Sequence, residues 1–446
     1  MAKFSRALVA FILLAVSATS NAAPANTTAN TNSTTPTTTD SAVPEYATVA
    51  PINQNANAPI YAVDDTNMAS PQPIREGLGA TILGPVNIPI ELQNPDLFAP
   101  PSSDHGVVGN AKWPMSLSSN RLQTGGWARQ QNVQVMPMAT EMAGVNMRLE
   151  PGAFRELHWH TSAEWAYVMK GTTQVTSIDP EGRNYVANVG PGDLWYFPPG
   201  VPHSLQATAD GEGTEFLLVF DTGDFDENGT LLLTDWMAHI PMDVLAKNFQ
   251  TDPSAFDHIP SHELYIFPAA PPTDDKAVED PQGQVQVPFS FPFSQVKPTP
   301  LSGGTVKIVD STTFNASKTI AMAEVTVEPG AMRELHWHPT QDEWSFFLEG
   351  EARVTLFAGS GNARTYNFQA GDVGYVPASF GHYVENVGNS TLHFLEIFKT
   401  DRFQDISLSQ WLAVTPPAIV KAHLGFDDTT IAHLNKTKQT VVGPSH

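Results

Sequence analysis

Along most of the chain, apolar and polar positions change character over four to eight residues, and Gly, Pro and Asp break the runs. EWAYVMKG (164–171), TQVTSID (173–179) and EFLLVFD (215–221) each alternate or run apolar. Such runs between turn formers predict strands, and many of them in each half predict an antiparallel sandwich or barrel. Helical signals are few. TDWMAHIP (234–241) and SQWLAVTP (409–416) are two of them, with Thr234 and Ser409 placed as helix N-caps. Residues 251–300 are rich in Pro and lack a helical period. They predict a connection followed by the first strand of a second unit. The expected class is all-β with short helices.

The N-terminus has a different pattern. Lys3 and Arg6 precede an apolar run, Ala7 to Val16, that is too short to span a bilayer, and Ser20-Asn21-Ala22 offers a small-residue cleavage site. This predicts a secretory signal peptide over 1–22, and no membrane attachment after its removal. Residues 23–55 are mostly Ala, Asn, Thr, Ser and Pro; they cannot bury a core and predict a disordered leader, drawn to residue 60. Sequons at Asn26, Asn32, Asn228, Asn315, Asn389 and Asn435 fit a secreted glycoprotein, extracellular or cell-wall associated.

The strand pattern occurs twice. PGAFRELHWHTSAEW (151–165) returns as PGAMRELHWHPTQDEW (329–344), and within the first ten residues only Phe154 and Met332 differ. GPGDLWYFPPGVPHSLQ (190–206) returns as QAGDVGYVPASFGHYVE (369–385), with the shared skeleton G-D-x-x-Y-x-P-x4-H ending at His203 and His382. The second copy has one extra residue in its Gln341-Asp342 turn. The separation from glutamate to last histidine, Glu164 to His203 and Glu343 to His382, is 39 positions in both.

Side chains two apart in a strand share a face. His158 and His160 therefore point one way with Trp159 opposite, and His336 and His338 do the same around Trp337. Glu164 and Glu343 begin the next strand and can face back, while His203 and His382 arrive from a more distant one. A barrel interior is where three such strands converge. Three imidazoles and a carboxylate form a nitrogen/oxygen set that suits manganese, iron, copper or zinc, and four ligands leave two open positions on an octahedral ion. The remaining histidines show no such constellation.

Composition narrows the function. The chain has 446 residues, a formal charge of −23 and no cysteine. Disulfides, iron–sulfur clusters and thiol nucleophiles are excluded. Nucleic acid is not an expected partner of so acidic a protein. A small anionic substrate needs a locally positive site.

G-x5-H-x-H-x(3,4)-E followed by G-x5-P-x4-H, from Gly152 and Gly192 and again from Gly330 and Gly371, resembles the paired cupin signature. Two copies resemble a bicupin: two tandem double-stranded β-helix, or jelly-roll, barrels. RELHWHTSAEWAYV, GDLWYFPPGVPHSLQ, EFLLVFDTGDF, LTDWMAHIP, EPGAMRELHWHP, AGDVGYVP, GHYVENVG and FLEIFK are similar to the bicupin oxalate decarboxylases, in their secreted, fungal-type form, over about residues 110–430. The resemblance implies an N-terminal segment with the first cupin over 61–250. It implies a connection, second cupin and C-terminal helices over 251–446. It implies manganese at His158, His160, Glu164 and His203, and at His336, His338, Glu343 and His382.

The resemblance further implies that Arg155 and Arg333 orient oxalate beside the metals. Strict alternation puts Arg155 on the face opposite His158, so the strand must bend or begin between them. A lid glutamate of the family matches Glu227 in Asp226-Glu227-Asn228-Gly229, where the familiar flanking serines are absent. A glycan on the Asn228 sequon would obstruct the lid, so none is expected there. The comparable buried acid of the second cupin is Glu396. The family tends to form trimeric layers, implying a homo-oligomer, trimer or hexamer.

The carbon–carbon bond of oxalate resists heterolysis, because a carbanion would be left on a carboxylate. Prior loss of one electron weakens it, and a redox-active metal with dioxygen as co-catalyst accepts that electron, which zinc cannot. Glu227 then supplies a proton and formate results. Without that acid the outcome is oxalate oxidase, giving carbon dioxide and hydrogen peroxide. A bicupin storage protein, or a flavonol dioxygenase, are the readings from other classes. Intact ligand sets oppose the first, and Arg155 and Arg333 oppose the second. The lid places the chemistry at the first cupin. Trp159 and Trp337 pack on the outer barrel faces, or relay electrons between metals.

Overall fold

The structure, a computed structural model, describes residues 71–444. The signal peptide, the leader and the sequons at Asn26 and Asn32 lie outside the described residues.

Each half builds a barrel from a six-stranded and a seven-stranded antiparallel sheet. In the first barrel the six-stranded sheet runs Asn184–Val189, Thr173–Ile178, His203–Ala207, Phe154–Trp159 and Leu231–Leu232, with Ile266–Phe267 also pairing with Phe154–Trp159. The seven-stranded sheet is centred on Glu164–Lys170 and Thr214–Phe220 and carries Ala143–Leu149 and Gly126–Gln131. Short strands form because apolar runs end at turn residues. Gly152, which opens the histidine motif, has φ +81°, and a Cβ there would sit 2.2 Å from the Ala269 carbonyl oxygen.

The second barrel repeats the plan around Met332–Trp337, Gly381–Asn386, Glu343–Glu349 and Leu392–Phe398. The barrels exchange segments. Lys112–Pro114, ahead of the first barrel, pairs with Asp372–Val376 of the second. Ser290–Phe291, beyond residue 250, pairs with Leu194–Phe197 of the first. Upstream, buried Asp96 accepts Arg353 Nε at 2.8 Å and Asn367 Nδ2 at 2.7 Å. Chain order and packing therefore differ on both sides of residue 250.

The barrels also share a core. Trp344 is fully buried against the first barrel, and its Nε1 donates to Gln131 Oε1 at 2.6 Å. Gly144 makes room for it: a Cβ there would lie 2.2 Å from Trp344 Cζ2. Gly144→Ala is expected to destabilise the protein by about 1–3 kcal/mol, the usual range for overpacking a filled core. Chemical denaturation checks this, and unchanged stability would show that the indole shifts freely.

The expected N-caps need correction. The helices are Leu233–Ala238 and Leu408–Val414, so Leu232 and Ser407 hold the cap positions. Each helix begins where a two-residue strand stops pairing with its histidine strand. Ser407 Oγ accepts Gln410 N–H at 3.2 Å. Thr234 lies in the first turn, and its N–H and hydroxyl donate to Glu156 Oε1 at 2.7 and 2.5 Å. An acid from another strand thus does the work of a capping side chain.

Candidate metal centres and the lid

The first ligand set assembles where strands meet. His158 sits on Phe154–Trp159 and His160 just beyond it, Glu164 opens the next strand, and His203 pairs directly with His158. All four are buried, and their ligand atoms lie within 4.8 Å of one another; His336, His338, Glu343 and His382 do the same. These are two four-residue metal-site groups, one in each barrel.

The donor chemistry fits a cation. Nδ1 of His158, His160 and His203 faces the carbonyls of Glu156, Ser162 and Val201 at 2.6–2.9 Å. Nδ1 of His336, His338 and His382 faces those of Glu334, Gln404 and Phe380 at 2.7–2.9 Å. A carbonyl requires a donor, so each Nδ1 carries the proton and each Nε2 turns a lone pair inward. Nε2 of His203 and of His336 is buried without a hydrogen-bond partner. Burial, with the Arg155 guanidinium, holds the His158 imidazole well below its ordinary pKa.

The carboxylates are steered differently. Trp195 Nε1 donates to Glu164 Oε1 at 2.8 Å, whereas Ser345 Oγ donates to Glu343 Oε1 at 2.5 Å. Across the strands, Trp195 pairs with Ala166, and Ser345 pairs with Gly374. Bulk and hydroxyl have been traded between equivalent positions.

The arginine question has a geometric answer. His158 faces His203, while Arg155 faces Leu205, so three steps on one strand match two on its partner. The same shift separates Arg333 from His336. This β-bulge returns the arginine to the ligand face. It also buries Glu156 beside Arg155 and leaves Leu157 exposed. Trp159 and Trp337 point outward and meet Trp236 and Trp411 edge-on at 5.5 Å.

Glu227 lies over the first centre. Phe225 of the same loop meets the His160 ring at 5.8 Å, and Glu227 begins a short 3-10 turn. Arg155 donates to Glu227 Oε1 from Nε at 2.9 Å and from Nη2 at 2.7 Å, and Tyr265 OH donates to the same oxygen at 3.1 Å. All three donors converge on Oε1. Arg155 Nη2 also reaches Thr230 Oγ1 at 3.0 Å, and its Nη1 has no partner. Asn228 Oδ1 accepts from Arg121, and Thr230 accepts from Arg155, so the sequon residues are engaged in the lid.

The second centre differs. Arg333 donates from Nε to Glu396 Oε1 at 3.0 Å and from Nη2 to Asp405 Oδ2 at 2.6 Å, all three groups being buried. Glu396 comes from a barrel strand, not from a loop over the site. Burial raises its carboxyl, Arg333 opposes this, and Glu343 adds to the rise. The cavity beside Glu343 holds only about 10 Å³. A second, outer groove of about 410 Å³ touches His336 and His382 but has no charged side chain. By contrast, a cavity of about 490 Å³ lined by Arg121, Gln130, Asn132, Glu227 and Tyr265 opens beside the loop that carries Glu227.

Several functional groups escaped sequence reasoning. Glu156 Oε2 accepts Leu264 and Tyr265 N–H at 3.0 and 2.7 Å, holding Tyr265 at φ +59° against Glu227. Glu156 repeats as Glu334 inside RELHWH, and that repetition was the available signal. Tyr265 and Asp405 left none.

The cupin family matches residues 117–256 and 296–432. The oxalate decarboxylase of Bacillus subtilis is 53% identical over 374 residues, covering 83% of this chain and 97% of that protein. A probable oxalate decarboxylase of the fungus Arthroderma benhamiae is 42% identical over 399 residues, covering 86% and 98%. A solved structure of the Bacillus subtilis enzyme, described for its Mn(II) centres, has a TM-score of 0.82 at 52% identity, covering 84% of this chain and 100% of that one.

Proposed function

This chain belongs to the bicupin oxalate decarboxylase family, and from that membership we propose that it converts oxalate to formate and carbon dioxide at the first metal centre, with manganese in both. The observation that carries the choice of centre is Arg155. It stands beside the ligand set with Nη1 free, bound to Glu227 and Thr230 of a loop whose Glu227 lines the large cavity. Arg333 is matched by two buried acids, Glu396 and Asp405.

Manganese, held by His158, His160, Glu164 and His203, with dioxygen as co-catalyst, supplies the one-electron removal and return that lets the carbon–carbon bond break. The protein does the rest. Arg155 offsets the negative charge of the substrate and orients it through its free Nη1 N–H groups. Phe225, packed on His160, keeps water from the reacting carbon. After carbon dioxide leaves, the remaining one-carbon fragment needs a proton. Glu227 supplies it from Oε2, since the three protein donors occupy Oε1. Burial raises the Tyr265 phenol far above its usual pKa, so it stays a donor. Arg333 and Glu396 are proposed to balance charge at the second centre.

Secretion is proposed from Lys3, Arg6 and the apolar run after them. A homo-oligomer, trimer or hexamer, is proposed because Trp236 and Trp411 are 56% and 52% exposed on equivalent outer faces. Among the described residues, no helix is long and apolar enough to cross a membrane.

The test is product balance. Manganese-loaded protein with oxalate in air is expected to release formate equal to the oxalate consumed, with little peroxide. Peroxide without formate would make it an oxidase, and neither product would remove oxalate as the substrate.

A further inference from the structure

We propose that Gln130 is the positioning residue that holds the Glu227 lid shut, and that its bond to Asp226 sets how often a turnover ends in protonation instead of oxidation. The inference rests on Glu227 being the proton donor.

The side-chain carboxamide of Gln130 binds two consecutive lid residues. Its Oε1 accepts the Glu227 N–H at 2.8 Å, and its Nε2 donates to Asp226 Oδ1 at 3.1 Å. Asp226 Oδ1 also receives Asn228 N and Nδ2, both at 3.0 Å, which closes the 3-10 turn that carries Glu227. Gln130 is the link from the backbone of Glu227 and the side chain of Asp226 to the barrel wall, beside the Arg155 and Tyr265 contacts to the Glu227 carboxylate. The wall does not give. The next residue, Gln131, is fully buried and bound to Trp344 of the second barrel. Arg121, from the neighbouring strand, adds a contact to Asn228 Oδ1 at 3.1 Å.

The polarity of this clamp matters. An amide offers one acceptor and one donor, in the order the lid requires: a backbone N–H from Glu227 and a carboxylate from Asp226. A carboxylate at position 130 would still accept the N–H but would confront Asp226 with like charge.

The competing outcomes balance as follows. Hydrogen oxalate gives formate and carbon dioxide with no net oxidant. Alternatively, hydrogen oxalate, one proton and dioxygen give two carbon dioxide and hydrogen peroxide, dioxygen taking up two electrons. A lid that opens before the proton is delivered favours the second.

The experiment compares Gln130→Glu with the double variant Gln130→Glu/Asp226→Asn. The double variant reverses the hydrogen bond, so that the side-chain amide introduced at position 226 donates to the carboxylate introduced at position 130, and it restores the total charge. Two quantities are read: the peroxide-to-formate ratio, and amide hydrogen exchange of the 224–232 peptide, which needs no turnover. Gln130→Glu is expected to raise the ratio roughly tenfold, the factor that one lost hydrogen bond to a charged group carries. It is also expected to speed exchange of the peptide, and the double variant to return both toward the parent. An unchanged ratio in Gln130→Glu, or no recovery in the double variant, overturns the proposal. Glu227→Gln is run beside them. If it keeps making formate, the proton-donor reading has failed and this inference falls with it. If it loses formate while Gln130→Glu matches the parent, only the clamp is wrong.

Discussion

Glu227→Gln is expected to lower formate production by about 10²–10⁴-fold, the usual worth of a positioned general acid. The substitution isolates the proton. A glutamine Oε1 can still accept Arg155 Nε and Nη2 and Tyr265 OH, so the three contacts that seat the side chain survive. Its Nε2 replaces the oxygen from which the proton is given, and an amide cannot give one at useful rates. Residues 158, 160, 164 and 203 are untouched, so metal content should equal that of the parent. Oxalate consumption that continues should appear as peroxide. Formate and peroxide measured together, with metal analysis, decide the matter; undiminished formate would remove Glu227 from the acid role.

Arg155→Lys and Arg333→Lys are expected to fail in different ways, although their residues are equivalent in the repeat. Arg155 spans Glu227, Thr230 and a free Nη1, and a single ammonium cannot hold all three directions. Its loss is expected to lower kcat/KM by about 10²–10³-fold, because the free Nη1 donors for the anionic substrate and the seat of the Glu227 loop are lost together. Arg333 is fully buried between Glu396 and Asp405. Lysine there leaves one buried acid poorly matched, and the expected cost is about 3–5 kcal/mol of stability. The product ratio should not move. Steady-state kinetics and denaturant unfolding on both variants test this, and equal kinetic losses would place chemistry at both centres.

The ligand sets were legible in the sequence because ligation needs few residue types at fixed spacing, and the repeat stated that spacing twice. The Arg155 problem was legible too. Alternation put it on the wrong face, and a β-bulge of one residue resolves the conflict. What stayed hidden was contact between distant segments. Tyr265 reaches Glu227 only because Glu156 binds the two backbone amides at 264 and 265, and no local pattern announces that. The N-cap error has the same origin. Thr234 is a plausible cap by type, but it lies inside the first turn, and its own N–H is met by Glu156, from 78 positions earlier. Gln130 had no sequence signal either, since its partner Asp226 lies 96 positions further on. The family's flanking serines are absent around Glu227, and Asp226 has a partner of its own.

The exchanged strands have a consequence for the handling of the chain. A duplicated barrel leaves two sheet edges whose free N–H and C=O groups invite pairing with other molecules. Here each edge is occupied by a ribbon borrowed across the duplication: Lys112–Pro114 on Asp372–Val376, and Ser290–Phe291 on Leu194–Phe197. Neither half retains its own cover when cut away at residue 250. Each would expose a bare edge and lose part of the core around Trp344. Cut there, each half would offer that edge to whatever strand came next, so the two halves are expected to remain soluble together and to aggregate apart.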